Sequence, residues 1–183
     1  MVMSVKLKKV ISVSRRCDLI AHYPDYVINE LQKYPPGEAH TVVIWTKNPE
    51  NLTKHISLYQ ALREYSNLYL LLTITGMGGT IVEPGVPYPE EVFKQIPDII
   101  DFAGGPEHIG IRYDPLIEII DTSNNNRYSN MSEDKFEPVL EMISLNKIPR
   151  LIVSVAQKYG KSEKRMKKMG LIFLENYQVK AEE

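Results

Sequence analysis

The chain has 183 residues, 43% hydrophobic and 25% charged, with 22 Lys and Arg against 23 Asp and Glu for a formal charge of -1. That length buries the core of one globular domain, and the balanced charge excludes a protein that coats polyanions with its whole surface, leaving room for a local basic patch. One Cys excludes an intramolecular disulfide and any all-cysteine metal site made by this chain alone.

The first apolar run, Val10–Ser14 (VISVS), reads as a strand and leads into Ser14-Arg15-Arg16-Cys17-Asp18. Pro24 to Lys33 follows as a short helix, ended by Tyr34-Pro35-Pro36-Gly37. Thr41–Trp45 (TVVIW) is a second strand, running into Thr46-Lys47-Asn48. Asn48 then caps, and Pro49 opens, a helix carried by Glu50 to Tyr65. Leu68–Ile74 (LYLLLTI) is a third strand, followed by Thr75, Gly76-Met77-Gly78-Gly79 and Glu83-Pro84. The glycine loop opens no helix, so its phosphate-binding signal is weak. Pro89 starts a helix over Glu90 to Phe102 that Pro97 kinks or divides. Ile109–Arg112 (IGIR) is a fourth strand, closing in Arg112-Tyr113-Asp114-Pro115. The polar stretch Ser123–Arg127 is a loop and a candidate mobile lid. Ser132 caps Glu133 to Leu145, whose Glu133 and Asp134 suit a positive helix N-terminus. Leu151–Val155 (LIVSV) is a fifth strand, with Ser154 and Gln157 at its end. Ser162 to Met169 is a last helix, stopped by Gly170, and Leu171–Leu174 (LIFL) is a weaker sixth strand.

The strand runs are apolar on both faces, as in a parallel sheet covered by helices, and the β–α alternation continues without a linker. The expected architecture is a single α/β domain over 1–183. Two closures fit right-handed crossovers: an open doubly wound sheet, or a partial TIM-barrel-like (β/α) barrel of five to six parallel strands. A full barrel needs ~250 residues, and no dinucleotide fingerprint follows the first strand, which argues against a Rossmann domain. The longest apolar runs fall far short of the ~20 residues that span a bilayer. Met1 to Lys9 has charge but no apolar secretory core, so the expected location is cytoplasmic and off the membrane.

In either closure ligands bind at the carboxyl ends of the strands, and four of those ends are strongly polar. Charges abutting buried strands are costly unless paired or used. One reading is a salt-bridged ring of Arg15, Arg16, Asp18, Arg112 and Asp114 closing one end of the sheet. The favoured reading is a site for a small anionic ligand, because the arginine fork binds carboxylate or phosphate bidentately. Its candidate ligand-binding residues are Arg15, Arg16, Trp45, Lys47, Asn48, Thr75, Glu83 and Arg112, with Asp18 and Asp114 as candidate general bases. Trp45 is equally a core residue or a stacking platform.

Cys17, Asp18, His22, His40, His55 and His108 match no compact ligand spacing, so no protein-bound metal is expected. His55, inside a helix, and His40, in a loop, are expected at the surface. Cys17, beside Arg16, is a weak candidate nucleophile. Lys158 to Lys168 holds six cations against Glu163. This is a solvated helix or a contact for nucleic-acid phosphates, the former being the commoner case.

Four stretches occur in order: Ile11-Ser12-Val13-Ser14-Arg15-Arg16-Cys17-Asp18, Ile44-Trp45-Thr46-Lys47-Asn48-Pro49, the Thr73-Ile74-Thr75-Gly76 turn with Glu83-Pro84, and Arg112-Tyr113-Asp114-Pro115. Together they resemble the domain-of-unknown-function family DUF1848, described as radical-SAM-like or DNA-repair-photolyase-like, over roughly Val10 to Tyr159. The resemblance implies a partial (β/α) barrel related to the radical S-adenosylmethionine core. It implies a site built from Arg15, Arg16, Asp18, Trp45, Lys47, Asn48, Arg112 and Asp114, and S-adenosylmethionine as the candidate cofactor. Longer members carry a cysteine-rich segment held to bind an iron–sulfur cluster, and the family tends to have Thr where Cys17 stands. With one Cys no such cluster is expected from this chain alone. Three functions follow. The chain is a radical-SAM-like enzyme, or a descendant without the cluster, with cysteines supplied by a partner chain. Alternatively it is a non-catalytic module for a nucleotide or S-adenosylmethionine, or an interaction subunit whose open edge is covered by a partner or a second copy.

Overall fold

Alternating runs and breakers give sixteen named strands and α-helices in chain order, in a computed structural model that describes residues 7–13 and 16–174. Strand β1 (Lys9–Val13) precedes α1 (Leu19–His22) and α2 (Pro24–Leu31), which Pro24 opens. Strand β2 (Ala39–Thr46) is followed by α3 (Asn51–Lys54) and α4 (Ile56–Arg63). The single helix expected over Glu50 to Tyr65 is broken at His55, which leaves the helical region (φ -87°, ψ 94°). Its Nδ1 accepts the Leu58 N–H at 3.2 Å, so His55 caps α4 instead of lying inside a helix. After β3 (Leu68–Thr73), Pro97 divides its helix as expected, into α5 (Pro89–Phe93) and α6 (Ile96–Ala103). Strand β4 (Ile109–Leu116) runs on into a hairpin, β5 (Glu118–Asp121) and β6 (Arg127–Ser129), before α7 (Glu133–Leu145). Ser132 occupies the N-cap position of α7 without a side-chain capping bond. Strand β7 (Arg150–Val155), α8 (Gly160–Lys168) and β8 (Leu171–Phe173) complete the described chain.

The main sheet has the order β1-β2-β3-β4-β7, parallel throughout. Val13 stands beside Ile44, Ile44 beside Leu70, Leu72 beside Ile111 and Tyr113 beside Val153. Chain order and spatial order coincide, so the sheet lacks the reversal that makes a doubly wound switch point. The expected sixth parallel strand is corrected. β8 pairs antiparallel with β5 in a separate sheet, β6-β5-β8, because the β5–β6 hairpin offers it an edge. The expected loop over 123–127 forms the turn of that hairpin through residue 126, and Arg127 opens β6. Asp121 Oδ1 accepts the Ser123 N–H at 2.9 Å and its hydroxyl at 2.7 Å, while Asn124 Oδ1 accepts the Asn126 N–H at 2.8 Å. The Ser123 hydroxyl and N–H hold the Asp121 carboxyl below its ordinary range.

Strand alternation sorts the sheet into two unlike faces. Val42, Ile44, Leu70, Leu72, Ile111 and Tyr113 are buried against Val27, Leu52, Leu58, Leu62, Ile99 and Phe102 of the helices. On the other face Ser12, Arg150 and Ser154 are exposed, and Val43, Trp45, Tyr69, Thr73, Arg112 and Ile152 are half-buried. Of the two closures expected, a doubly wound sheet would carry helices on both faces and a partial barrel on one; among the described residues the helices bury one. Right-handed crossovers between strands laid down in chain order carry every helix to the same side. Cations blanket the aromatic rings of the open face: Arg112 lies 4.7 Å from the Trp45 ring centre and Arg150 5.7 Å from that of Tyr69.

Candidate functional site

The loop after β1 is stitched to the end of β2 by one carboxylate. Asp18 Oδ1 caps α1 by accepting the Ala21 N–H at 3.0 Å. Its Oδ2 accepts the Thr46 hydroxyl at 2.9 Å, the Lys47 N–H at 2.7 Å and the Asn48 N–H at 3.4 Å. Four protein donors thus converge on one carboxylate, one on Oδ1 and three on Oδ2, the Asn48 N–H being shared with Thr46 Oγ1 at 3.1 Å.

Lys47 reaches across to the loop after β3, where its ammonium pairs with Glu83 Oε1. The buried Thr75 hydroxyl donates to Glu83 Oε2 at 2.5 Å and accepts the Met77 N–H at 3.2 Å. The loop is fixed from within, since the Gly79 N–H donates to Glu83 O at 3.2 Å and to Val86 O at 2.8 Å. With the Met77 and Gly79 N–H groups committed to the loop itself, it is a mount for Glu83 rather than a phosphate cradle.

At the end of β4, Arg112 grips Asp114 with two donors, Nε to Oδ1 at 3.0 Å and Nη2 to Oδ2. The Ser154 hydroxyl adds a bond to Oδ2 at 3.2 Å, and Asp114 is 8% exposed. The Trp45 indole N–H donates to Ser12 Oγ at 3.1 Å, which fixes the ring beneath the Arg112 guanidinium. Trp45 is therefore part of the open face and not of the helix-covered core.

The sequence reading missed Asn130, fully buried after β6. Its Nδ2 donates to Thr75 O at 3.0 Å and Pro115 O at 2.9 Å, and its Oδ1 accepts the Ile117 N–H at 2.8 Å. It clamps the ends of β3 and β4 together, while its own carbonyl accepts the Tyr113 hydroxyl at 2.5 Å. An asparagine beside a predicted loop reads as a turn residue, so no sequence signal marks it. Burial, with Asp134 adding, pushes the Tyr113 phenol from 10.0 up to about 12. The neutral phenol is thus favoured by the fold. Its contribution is fully present below the unfolded value of 10.0 and is lost as pH rises toward about 12. Urea unfolding along the alkaline limb should show this loss in the native chain and a smaller one in Tyr113→Phe. Equal alkaline slopes would remove the argument.

Arg16, Cys17, Asp18, Trp45, Lys47, Thr73, Arg112 and Asp114 meet around one open cavity of about 370 Å³. Three other candidates stand behind it. Thr75 and Glu83 act on it through Lys47, and Asn48 turns its side chain to the Glu50 N–H at 3.2 Å. Arg15 lies outside the described residues. Among the described residues no three His, Cys, Asp or Glu side chains form a metal-ligand cluster, and no helix is long and apolar enough to cross a membrane.

The model of a domain of unknown function, DUF1848, matches residues 33–183. The chain belongs to the DUF1848 family. The match contains β2 to β8 and three of the four strand-end motifs quoted above; Ile11–Asp18 precedes it. Comparison of this DUF1848 chain with curated proteins and with solved structures gave no match.

Proposed function

We propose that this DUF1848 chain is an opened (β/α) barrel, TIM-barrel-like and related to the radical S-adenosylmethionine core, that binds a small anionic or zwitterionic molecule at its strand ends. Strands in chain order with helices on one side suit a barrel opened along its wall, whose lumen is the half-buried face. The observation that carries the ligand reading is the Arg112 guanidinium, laid on Trp45 and aligned by Asp114 at the cavity. Its Nη1 edge has no acceptor among the described residues, and Lys47 Nζ keeps further hydrogens after its bond to Glu83.

Three cations (Arg16, Lys47, Arg112) face three carboxylates (Asp18, Glu83, Asp114) in and behind the cavity. Such balance favours a ligand carrying both signs over a polyanion. S-adenosylmethionine fits this donor set: Arg112 and Lys47 would hold its carboxylate, and it supplies an activated methyl or adenosyl group. An iron–sulfur cluster does not fit, because Cys17 is the one thiol of the chain. Further thiolates would have to come from a partner chain. Asp18 and Asp114 already hold internal donors, so we read both as positioning groups and not as proton acceptors.

A second reading treats the same pairs as structural ties of an interaction subunit, and the internal partners of all three carboxylates favour it. Calorimetric titration separates the two. The native chain should bind S-adenosylmethionine saturably, and Arg112→Ala should weaken binding roughly tenfold to a hundredfold, as expected for a lost charged hydrogen bond. No saturable binding by the native chain, together with a destabilised Arg112→Ala, would establish the structural reading.

A further inference from the structure

The basic helix α8 takes no part in the cavity above. Lys161, Lys164, Arg165 and Lys168 follow the spacing that puts side chains on one helix face, and all four are exposed. Lys167 pairs with Glu163 at 3.2 Å, whereas among the described residues no carboxylate pairs with those four. They are concentrated on nine residues of a chain whose formal charge is -1. At the helix start Tyr159 is 64% exposed. Tyr159 also lines a second cavity of about 500 Å³ at the end of β7, whose walls join the apolar Val155, Met166 and Phe173 to the polar Gln157, Lys158, Ser162 and Glu163.

We propose that this surface binds single-stranded nucleic acid, with the backbone phosphates along Lys161, Lys164, Arg165 and Lys168 and one base passing Tyr159 into the cavity. A row of uncompensated cations matches a chain of phosphates, and an exposed aromatic ring beside a cavity with both apolar and hydrogen-bonding walls matches an unstacked base. A lipid surface is the poorer match, because a helix lying in a bilayer interface needs a bulky apolar face and Met166 is the one bulky apolar side chain of α8. A duplex is also a poorer match, since its bases are stacked away from such a slot.

The test is fluorescence anisotropy with a short labelled oligodeoxynucleotide of mixed sequence, titrated at several salt concentrations. Four neutralised phosphates predict a slope of log affinity against log salt near about -3 for a single strand. The variant Lys161→Gln/Lys164→Gln/Arg165→Gln/Lys168→Gln, its fold checked by circular dichroism, should lose at least about tenfold in affinity and most of that slope. Tyr159→Ala should lose roughly five- to a hundredfold with the slope unchanged. Arg112→Ala should bind the oligonucleotide like the native chain, which separates this surface from the strand-end site. Absent binding, full affinity in the glutamine variant, equal affinity for duplex, or binding to phosphatidylserine vesicles in place of the oligonucleotide would each overturn the proposal.

Discussion

Gly78→Ala is expected to remove about 3 kcal/mol of unfolding free energy, since its added methyl would make the closest contact of any at the chain's glycines. A Cβ at this position would stand 1.9 Å from the Pro87 carbonyl oxygen, a backbone atom that cannot rotate away. The loop after β3 would have to open, and with it the mount that presents Glu83 to Lys47 and Thr75. In a domain of this size such a loss lowers Tm by roughly 6–12 °C. Gly85→Ala is the internal control, because nothing lies within 4 Å of its added Cβ. The argument fails if urea unfolding finds the two variants within about 0.5 kcal/mol of each other.

Asn130→Ala should cost a similar amount, about 3 kcal/mol, for a different reason. The substitution fits sterically but strands the Ile117 N–H and the carbonyls of Thr75 and Pro115, all bonded to the one amide. Buried groups left without a partner lose their hydration with nothing in exchange. The clamp also sets the spacing between the ends of β3 and β4, so ligand titration of Asn130→Ala should show weakened binding where the protein remains folded. A loss below about 1 kcal/mol would mean that water reaches the stranded groups.

The five parallel strands were legible because each is a predominantly apolar run between breakers, a signal independent of its partners. The break at His55 was not, because Leu52, Leu58 and Leu62 all lie buried and the apolar pattern continues through it. The run Leu171–Leu174 is apolar enough for a strand, but four residues encode neither partner nor direction, and it joined β5 instead of β7. The two faces of the sheet looked alike since Val43 and Trp45, on the open side, are as apolar as Val42 and Ile44 on the covered one. Polar strand ends identified Lys47, Arg112 and Asp114 because charge beside a buried strand is conspicuous in one dimension. Glu83, 36 residues from Lys47, was named with no means of naming its partner, and Asn130 was silent, because its three bonds exist only in three dimensions.

The coincidence of chain order and spatial order in the main sheet has a consequence for how the molecule is made. Each of β2, β3, β4 and β7 docks on the strand synthesised most recently in that sheet, so the sheet grows at one edge and no strand is inserted between two others. Thr75, Pro115 and Ile117 all precede Asn130, and Asn130 precedes β7, so every group of the clamp is synthesised before the last strand of the sheet. Vectorial synthesis and the topology therefore run in the same direction, with little unpaired strand exposed at any stage of elongation.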